Sequence, residues 1–321
     1  MILAVAAVIL GILILLWSAD KFIEGAASLA NSLGVSALII GMVIVGFGTS
    51  APEMIVSAFA SYDGNSQLAL GNVYGSNIVN IGFVLGVTAL LAPIKIQSTL
   101  VRKELPLLML IVLISLAILF DLKVSRMESA LLIVMFFILV LWTIYHSRKS
   151  ENDPIQSDIF ELIDEQKVSM KKSIIWLVIG LILMLASSRL FVWGAVEIAH
   201  FLEISELIIG LTIVALGTSL PELAASIVAI KKNEHDLAVG NVVGSNMFNL
   251  LAVVGIAGLI HPIEVSAELL TRDWSVMAIL TVVLFISAIG RKGTGSVNRW
   301  EGLLLLFSYL GYTTYLVFIS I

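Results

Sequence analysis

The chain has 321 residues; 59% are hydrophobic, only 13% are charged, and the mean hydropathy is +1.07. A soluble domain carries about 25% charged residues, so this composition excludes an ordinary globular protein and points to many membrane passes. With no cysteine, disulfides and thiolate metal sites are excluded, and the four histidines (His146, His200, His235, His261) have no zinc-ligand spacing.

Taken in chain order, the apolar runs predict ten membrane helices. They lie at roughly 2–17, 36–61, 67–92, 104–121 and 128–146, then 173–198, 206–230, 237–260, 274–290 and 301–320. Helix is the expected form, because unpaired backbone cannot face lipid and nothing alternates like a barrel strand. The first run has no basic residue before it and no cleavage site, so it reads as a span and not as a signal peptide. Between the fifth and sixth runs lies a polar stretch, 147–172, which holds Pro154 and six acidic residues from Glu151 to Glu165. The expected organisation is a first repeat over 1–146, a solvated linker over 147–172, and a second repeat over 173–321.

Lysine and arginine set the orientation. If the N-terminus is outside, the inside loops carry 14 of the 18 basic residues and the outside loops carry Lys123, Arg126 and Arg272. The remaining one, Arg189, falls within a span. Such a bias predicts a cytoplasmic loop 147–172 and extracytoplasmic termini.

A polar motif occurs twice, 169 positions apart. Gly48-Thr49-Ser50-Ala51-Pro52-Glu53 returns as Gly217-Thr218-Ser219-Leu220-Pro221-Glu222. Each copy leads to a second block, Gly71-Asn72-Val73-Tyr74-Gly75-Ser76-Asn77-Ile78-Val79-Asn80 and Gly240-Asn241-Val242-Val243-Gly244-Ser245-Asn246-Met247-Phe248-Asn249. From Gly48 to Ile81, 16 of 34 aligned positions are identical. Five spans per half is an odd number, so the second half enters the membrane from the opposite side. This is an inverted repeat, in which a binding site is expected near the midplane between the halves.

The chemistry follows from the residue types. Pro52 removes a backbone donor and crowds the carbonyl of Gly48, so the helix should break there. Carbonyls around Gly46 to Gly48, and the second set from Ala215, can then line a cavity. Thr49, Ser50, Thr218 and Ser219 add hydroxyls. Asn72, Ser76 and Asn80 share a helical face, as do Asn241, Ser245 and Asn249. Glu53 and Glu222 are carboxylates at membrane depth, where charge is costly and therefore functional. Every donor is oxygen, which suits hard cations such as Ca²⁺ and Na⁺. Arg189 and its repeat equivalent Asp20 are expected at opposite faces, outside the pocket.

These motifs, each present twice across ten spans, resemble the two alpha repeats of the sodium/calcium exchanger family, within the cation/calcium antiporter superfamily. The likeness is greatest to compact prokaryotic members. It implies exchange of Na⁺ for Ca²⁺ by alternating access in the cytoplasmic (inner) membrane, about three Na⁺ per Ca²⁺. It implies that Glu53 and Glu222 hold Ca²⁺ with backbone oxygens near Thr49 and Thr218. It also implies that Na⁺ sites draw on Ser50, Ser76, Ser219, Ser245 and a carbonyl near Ala215. Members of the family often carry Asp where this chain has Asn249. With Asn80 and Asn249 both neutral, the pocket charge is −2. The expected substrates are Ca²⁺ and Na⁺ in a lipid bilayer, with no cofactor, nucleic acid or obligate protein partner. The rival readings are a Ca²⁺/H⁺ antiporter, a cation channel, and a polytopic membrane enzyme for which no catalytic motif is present.

Overall fold

The computed structural model describes residues 1–96, 100–149, 170–202, 215–289 and 295–320. Linker residues 150–169 and residues 203–214, which include the start of the seventh expected span, lie outside the described residues.

Helix α1 is Ile2–Leu33, about twice the length of the apolar run that predicted it. Asp20, Lys21 and Glu24 interrupt the apolar pattern but do not end the helix. Lys21 and Glu24 pair one turn apart at 2.7 Å, and Gly34 closes the helix in the left-handed conformation that glycine permits. Then come α2 (Ala37–Thr49) and α3 (Ala51–Tyr62), bent by 43° at their junction. Helix α4 begins as Ser66–Ile78, passes through a π turn at Val79–Leu85 and ends as Gly86–Leu91. Strand β1 (Ile94–Ile96), helix α5 (Leu105–Leu119), strand β2 (Lys123–Val124) and helix α6 (Arg126–Lys149) complete the first half.

The second half follows the same plan. It contains α7 (Met170–Phe201), α8 (Ala215–Thr218), α9 (Leu220–Lys231), and α10, which starts as His235–Phe248 and ends as Val254–Ile260 after a π turn at Asn249–Val253. Strand β3 (Ile263–Glu264), helix α11 (Ser275–Ile289, entered by a π turn at Leu269–Trp274), strand β4 (Gly295–Val297) and helix α12 (Arg299–Ser320) close the chain. Among the described residues, seven helices are long and apolar enough to cross a bilayer, or eight when α2 and α3 count as one broken span. The protein is a multi-pass, all-helical membrane protein.

Packing shows that the two halves are inverted. Helices α1 and α7 lie side by side and antiparallel. A Cβ on Gly11 would meet Phe191, and one on Gly180 would meet Phe22; likewise Gly25 abuts Ser173 and Leu177, and Gly194 abuts Ala4. These contacts exchange when 169 is added to the lower number, as a two-fold axis between the halves requires. The small strands report the same symmetry. β1 pairs with β4 and β2 pairs with β3, both antiparallel. Each pair joins one strand from each half, at opposite ends of α5. The loop between α3 and α4 lies beside β3, where the Glu264 amide donates to Ser66 Oγ at 3.3 Å. Its counterpart between α9 and α10 lies beside β1, where the Lys95 amide approaches His235 Nδ1 at 3.4 Å. Equivalent loops therefore sit on opposite faces.

Candidate ion-binding site

At the α2–α3 junction Ser50 leaves helical geometry (φ −79°, ψ 5°), with Pro52 in the first turn of α3. Ser219 does the same before α9 (φ −93°, ψ 8°), with Pro221 in the first turn. Proline is tolerated there because a first-turn amide has no helical partner anyway. This break places Glu53 and Glu222 in the first turns of α3 and α9, where the helix dipole favours negative charge. Both glutamates are fully buried.

A symmetric set of hydrogen bonds fixes them. The Asn72 amide donates to the Glu53 carbonyl at 3.1 Å and to Ser57 Oγ at 2.9 Å. Asn241 donates to the Glu222 carbonyl at 3.1 Å and to Ser226 Oγ at 3.0 Å. The serines then cross between the halves. Ser219 donates to Glu53 Oε1 and Ser50 donates to Glu222 Oε1, both at 3.4 Å. Ser76 also donates to Glu53 Oε1, at 3.3 Å. Each carboxylate is thus held from the other repeat, and the pocket exists only when the halves meet.

Further along α4 and α10 the asparagines interlock. Asn80 Nδ2 donates to Asn246 Oδ1 at 3.1 Å, and Asn249 Nδ2 donates to Asn77 Oδ1 at 3.0 Å. Asn77 and Asn246 also reach each other's backbone carbonyls, at 3.3 and 3.5 Å. Asn77 and Asn246 were not expected as site residues. They stand in the repeated Gly-Ser-Asn blocks, and that duplication was the available signal, but small residues beside them read as packing. The supporting residues Ser57 and Ser226 recur at the same offset of 169 inside the repeat.

The acceptor inventory is informative. Glu53 Oε2, Glu222 Oε2, Asn80 Oδ1 and Asn249 Oδ1 are buried without a hydrogen-bond partner. They are two symmetry-related pairs, and all four are oxygen. Thr88 Oγ1 and Glu104 Oε2 are also buried without a partner, but only the first four recur in both repeats. A buried polar atom without a partner costs about 1–3 kcal/mol, so this symmetric set calls for a ligand that accepts electron pairs. A hard cation is such a ligand, and the donor set of two carboxylates, amide oxygens and hydroxyls fits it. Among the described residues no group of three or more His, Cys, Asp or Glu could hold a metal, so the pocket charge rests on the two glutamates.

Not every predicted ligand faces this set. The Thr49 hydroxyl donates to Asn241 Oδ1 at 3.0 Å, and Ser245 Oγ donates to the Gly46 carbonyl at 3.2 Å. That carbonyl also accepts the Ser50 amide at 3.1 Å, so it is occupied by protein donors where the broken helix suggested a free one. Thr218 is half-buried where Thr49 is fully buried. Ala215 opens α8, while the span leading to it lies outside the described residues.

The sequence pattern of "Sodium/calcium exchanger protein" matches residues 3–145 and 172–318, which covers both repeats. The chain belongs to the sodium/calcium exchanger family. Within it, the chain is 43% identical over 321 residues to "Putative antiporter CaxA" of Alkalimonas amylolytica, with both proteins covered in full. It is 37% identical to "Inner membrane protein YrbG" of Escherichia coli (strain K12), covering 100% of this chain and 98% of that one. Among solved structures, the sodium-calcium exchanger NCX_Mj soaked with Na⁺ and Ca²⁺ superposes with a TM-score of 0.82 at 34% identity, covering 97% of each chain. The fold is that of the exchangers, and the protein is a membrane antiporter of the cation/calcium class.

Proposed function

We propose that this antiporter exchanges Ca²⁺ for Na⁺ across the cytoplasmic membrane by alternating access. Ten spans would make up two inverted five-span repeats, 1–146 and 173–321, joined by a cytoplasmic linker, with both termini on the other side. The observation that carries the reading is the set of four buried, unpartnered oxygens on Glu53, Glu222, Asn80 and Asn249. The name of the matching family and the superposition on a Na⁺- and Ca²⁺-soaked exchanger support it, and the name of the relative YrbG supports the inner membrane.

In this account Ca²⁺ is held between Glu53 and Glu222, whose two negative charges balance it. Backbone oxygens near Thr49 and Thr218 complete its shell. Sodium would use Ser50, Ser76, Ser219, Ser245, a carbonyl near Ala215, and the Asn80 and Asn249 amides. A −2 pocket filled by Ca²⁺ is neutral, and filled by three Na⁺ it carries +1. Exchange of three for one therefore moves net charge. Because each carboxylate is clasped by a serine of the opposite repeat, a shift of one repeat against the other changes both ligand shells together. That is the coupling an antiporter needs, since ion binding must bias the conformational equilibrium.

The test is Ca²⁺ uptake into proteoliposomes loaded with Na⁺, compared with vesicles carrying only a proton gradient. Uptake driven by the Na⁺ gradient, with a current of the sign of the excess Na⁺ charge, supports the reading. Uptake driven by protons alone would assign the chain to the Ca²⁺/H⁺ branch of the superfamily.

A further inference from the structure

Charged residues related by the internal two-fold form an ion pair on one face of the protein and stand apart on the other. Asp20 on α1 meets Lys232, at the end of α9, with Oδ1 to Nζ at 2.8 Å. Adding or subtracting 169 turns these residues into Arg189 on α7 and Asp63 at the end of α3. The charges are exchanged, yet the pair is again of opposite sign. Arg189 and Asp63 are both exposed, and among the described residues neither makes an ion pair. The two positions lie on opposite faces, since Lys232 adjoins the β1 side and Asp63 the β3 side.

On the Lys232 side the pocket helix is sealed. Leu237 is fully buried, and a Cβ on Gly240 or Gly244, both buried, would strike the α2 backbone at Leu38 or Met42, 2.6 Å away. The formed ion pair accompanies this sealed packing on the same face.

We propose that Asp20–Lys232 and Asp63–Arg189 are alternating ionic latches, each closed when its own face is closed. The structure holds the first closed and the second open. The proposal rests on the alternating-access reading above and names residues that set its balance. Each pair ties one of the α1/α7 helices to the loop beside the pocket helices of the other half, so relative movement of those two units makes one pair and breaks the other. An exposed ion pair is a weak restraint, suited to biasing two states without trapping either.

The chain has no cysteine, so single-cysteine reporters give a clean readout in the full-length protein in liposomes. Leu237→Cys reports opening of the Lys232 face, and Leu68→Cys reports opening of the Asp63 face; the probe is an impermeant maleimide. Asp20→Asn should raise the labelling rate at position 237 about two- to fivefold, the effect of losing one exposed ion pair, and lower it at position 68. Arg189→Gln should do the reverse. The exchanged pair Asp20→Lys with Lys232→Asp should restore the parental rates, which separates a latch from simple damage to the fold. Unchanged rates in Asp20→Asn, or shifts of the same sign from Asp20→Asn and Arg189→Gln, would overturn the latches. Failure of position 237 to label under any Na⁺ or Ca²⁺ condition in the otherwise unaltered protein would instead overturn alternating access.

Discussion

Glu53→Gln tests the pocket with two opposite signatures. In the structure Glu53 Oε1 accepts from Ser76 and Ser219, while Oε2 has no protein partner. Glutamine can keep the first two bonds. It also sets an N–H₂ donor where the unpartnered acceptor stood and halves the pocket charge. Removing one member of a buried charge pair costs about 2–5 kcal/mol, or a loss of about 30-fold to several thousand-fold in Ca²⁺ affinity. Stability without ions should move the other way, because the substitution relieves the cost of a buried charge that nothing in the protein neutralises. The assay is thermal unfolding in detergent across a Ca²⁺ series, alongside Na⁺-driven uptake in proteoliposomes. We expect Glu53→Gln to match or exceed the parent without Ca²⁺ and to lose the rise in melting temperature that ligand binding gives. Glu222→Gln should behave alike, since Ser50 clasps it as Ser219 clasps Glu53. Near-normal Ca²⁺ stabilisation and uptake in either variant would refute the site.

Gly244→Ala should lower the melting temperature, a loss of about 1–3 kcal/mol through overpacking, because its Cβ would lie 2.6 Å from the Met42 carbonyl. Asn249→Asp adds a third carboxylate beside two others, and mutual repulsion should make Ca²⁺ uptake depend on pH between 6 and 9; a flat profile would place Asn249 outside the ion path. Asn77→Ala removes the acceptor of Asn249 and the donor to Asn246, so both Ca²⁺ affinity and stability should fall; an effect on stability alone would make it a brace only. Single cysteines at Asp158 and Ser320 should label from opposite sides of the membrane, and labelling from one side would contradict the odd-span inversion.

Much of the fold was legible because duplication makes sequence speak twice. The motif around Pro52 and Pro221 located both helix breaks, and the odd number of runs per half implied the inversion that the α1–α7 contacts display. The polar residues of α1 misled by length alone, since Lys21 and Glu24 satisfy each other on the helix surface. The π turns at Val79–Leu85 and Asn249–Val253 leave no signature in composition. They begin next to or at Asn80 and Asn249, and the partners of those two residues across the interface, Asn246 and Asn77, could not be foreseen. Likewise Ser245 and Thr49, expected at the ion site, are buried, but which oxygen a hydroxyl serves depends on the opposite repeat. Asn241 and the Gly46 carbonyl claim them in this structure.

The central claim is that two carboxylates clasped across an inverted repeat couple Ca²⁺ to Na⁺. Its most direct test is Ca²⁺ flux in proteoliposomes with the Na⁺ and proton gradients imposed separately and the membrane voltage clamped by ionophore. The account predicts Ca²⁺ uptake driven by an outward Na⁺ gradient at equal pH and accelerated by an inside-positive potential, because three Na⁺ leaving for one Ca²⁺ entering carry one net positive charge out. Electroneutral exchange would not respond to voltage. The uptake should vanish in Glu53→Gln. Uptake that follows a pH gradient and ignores Na⁺ would contradict it.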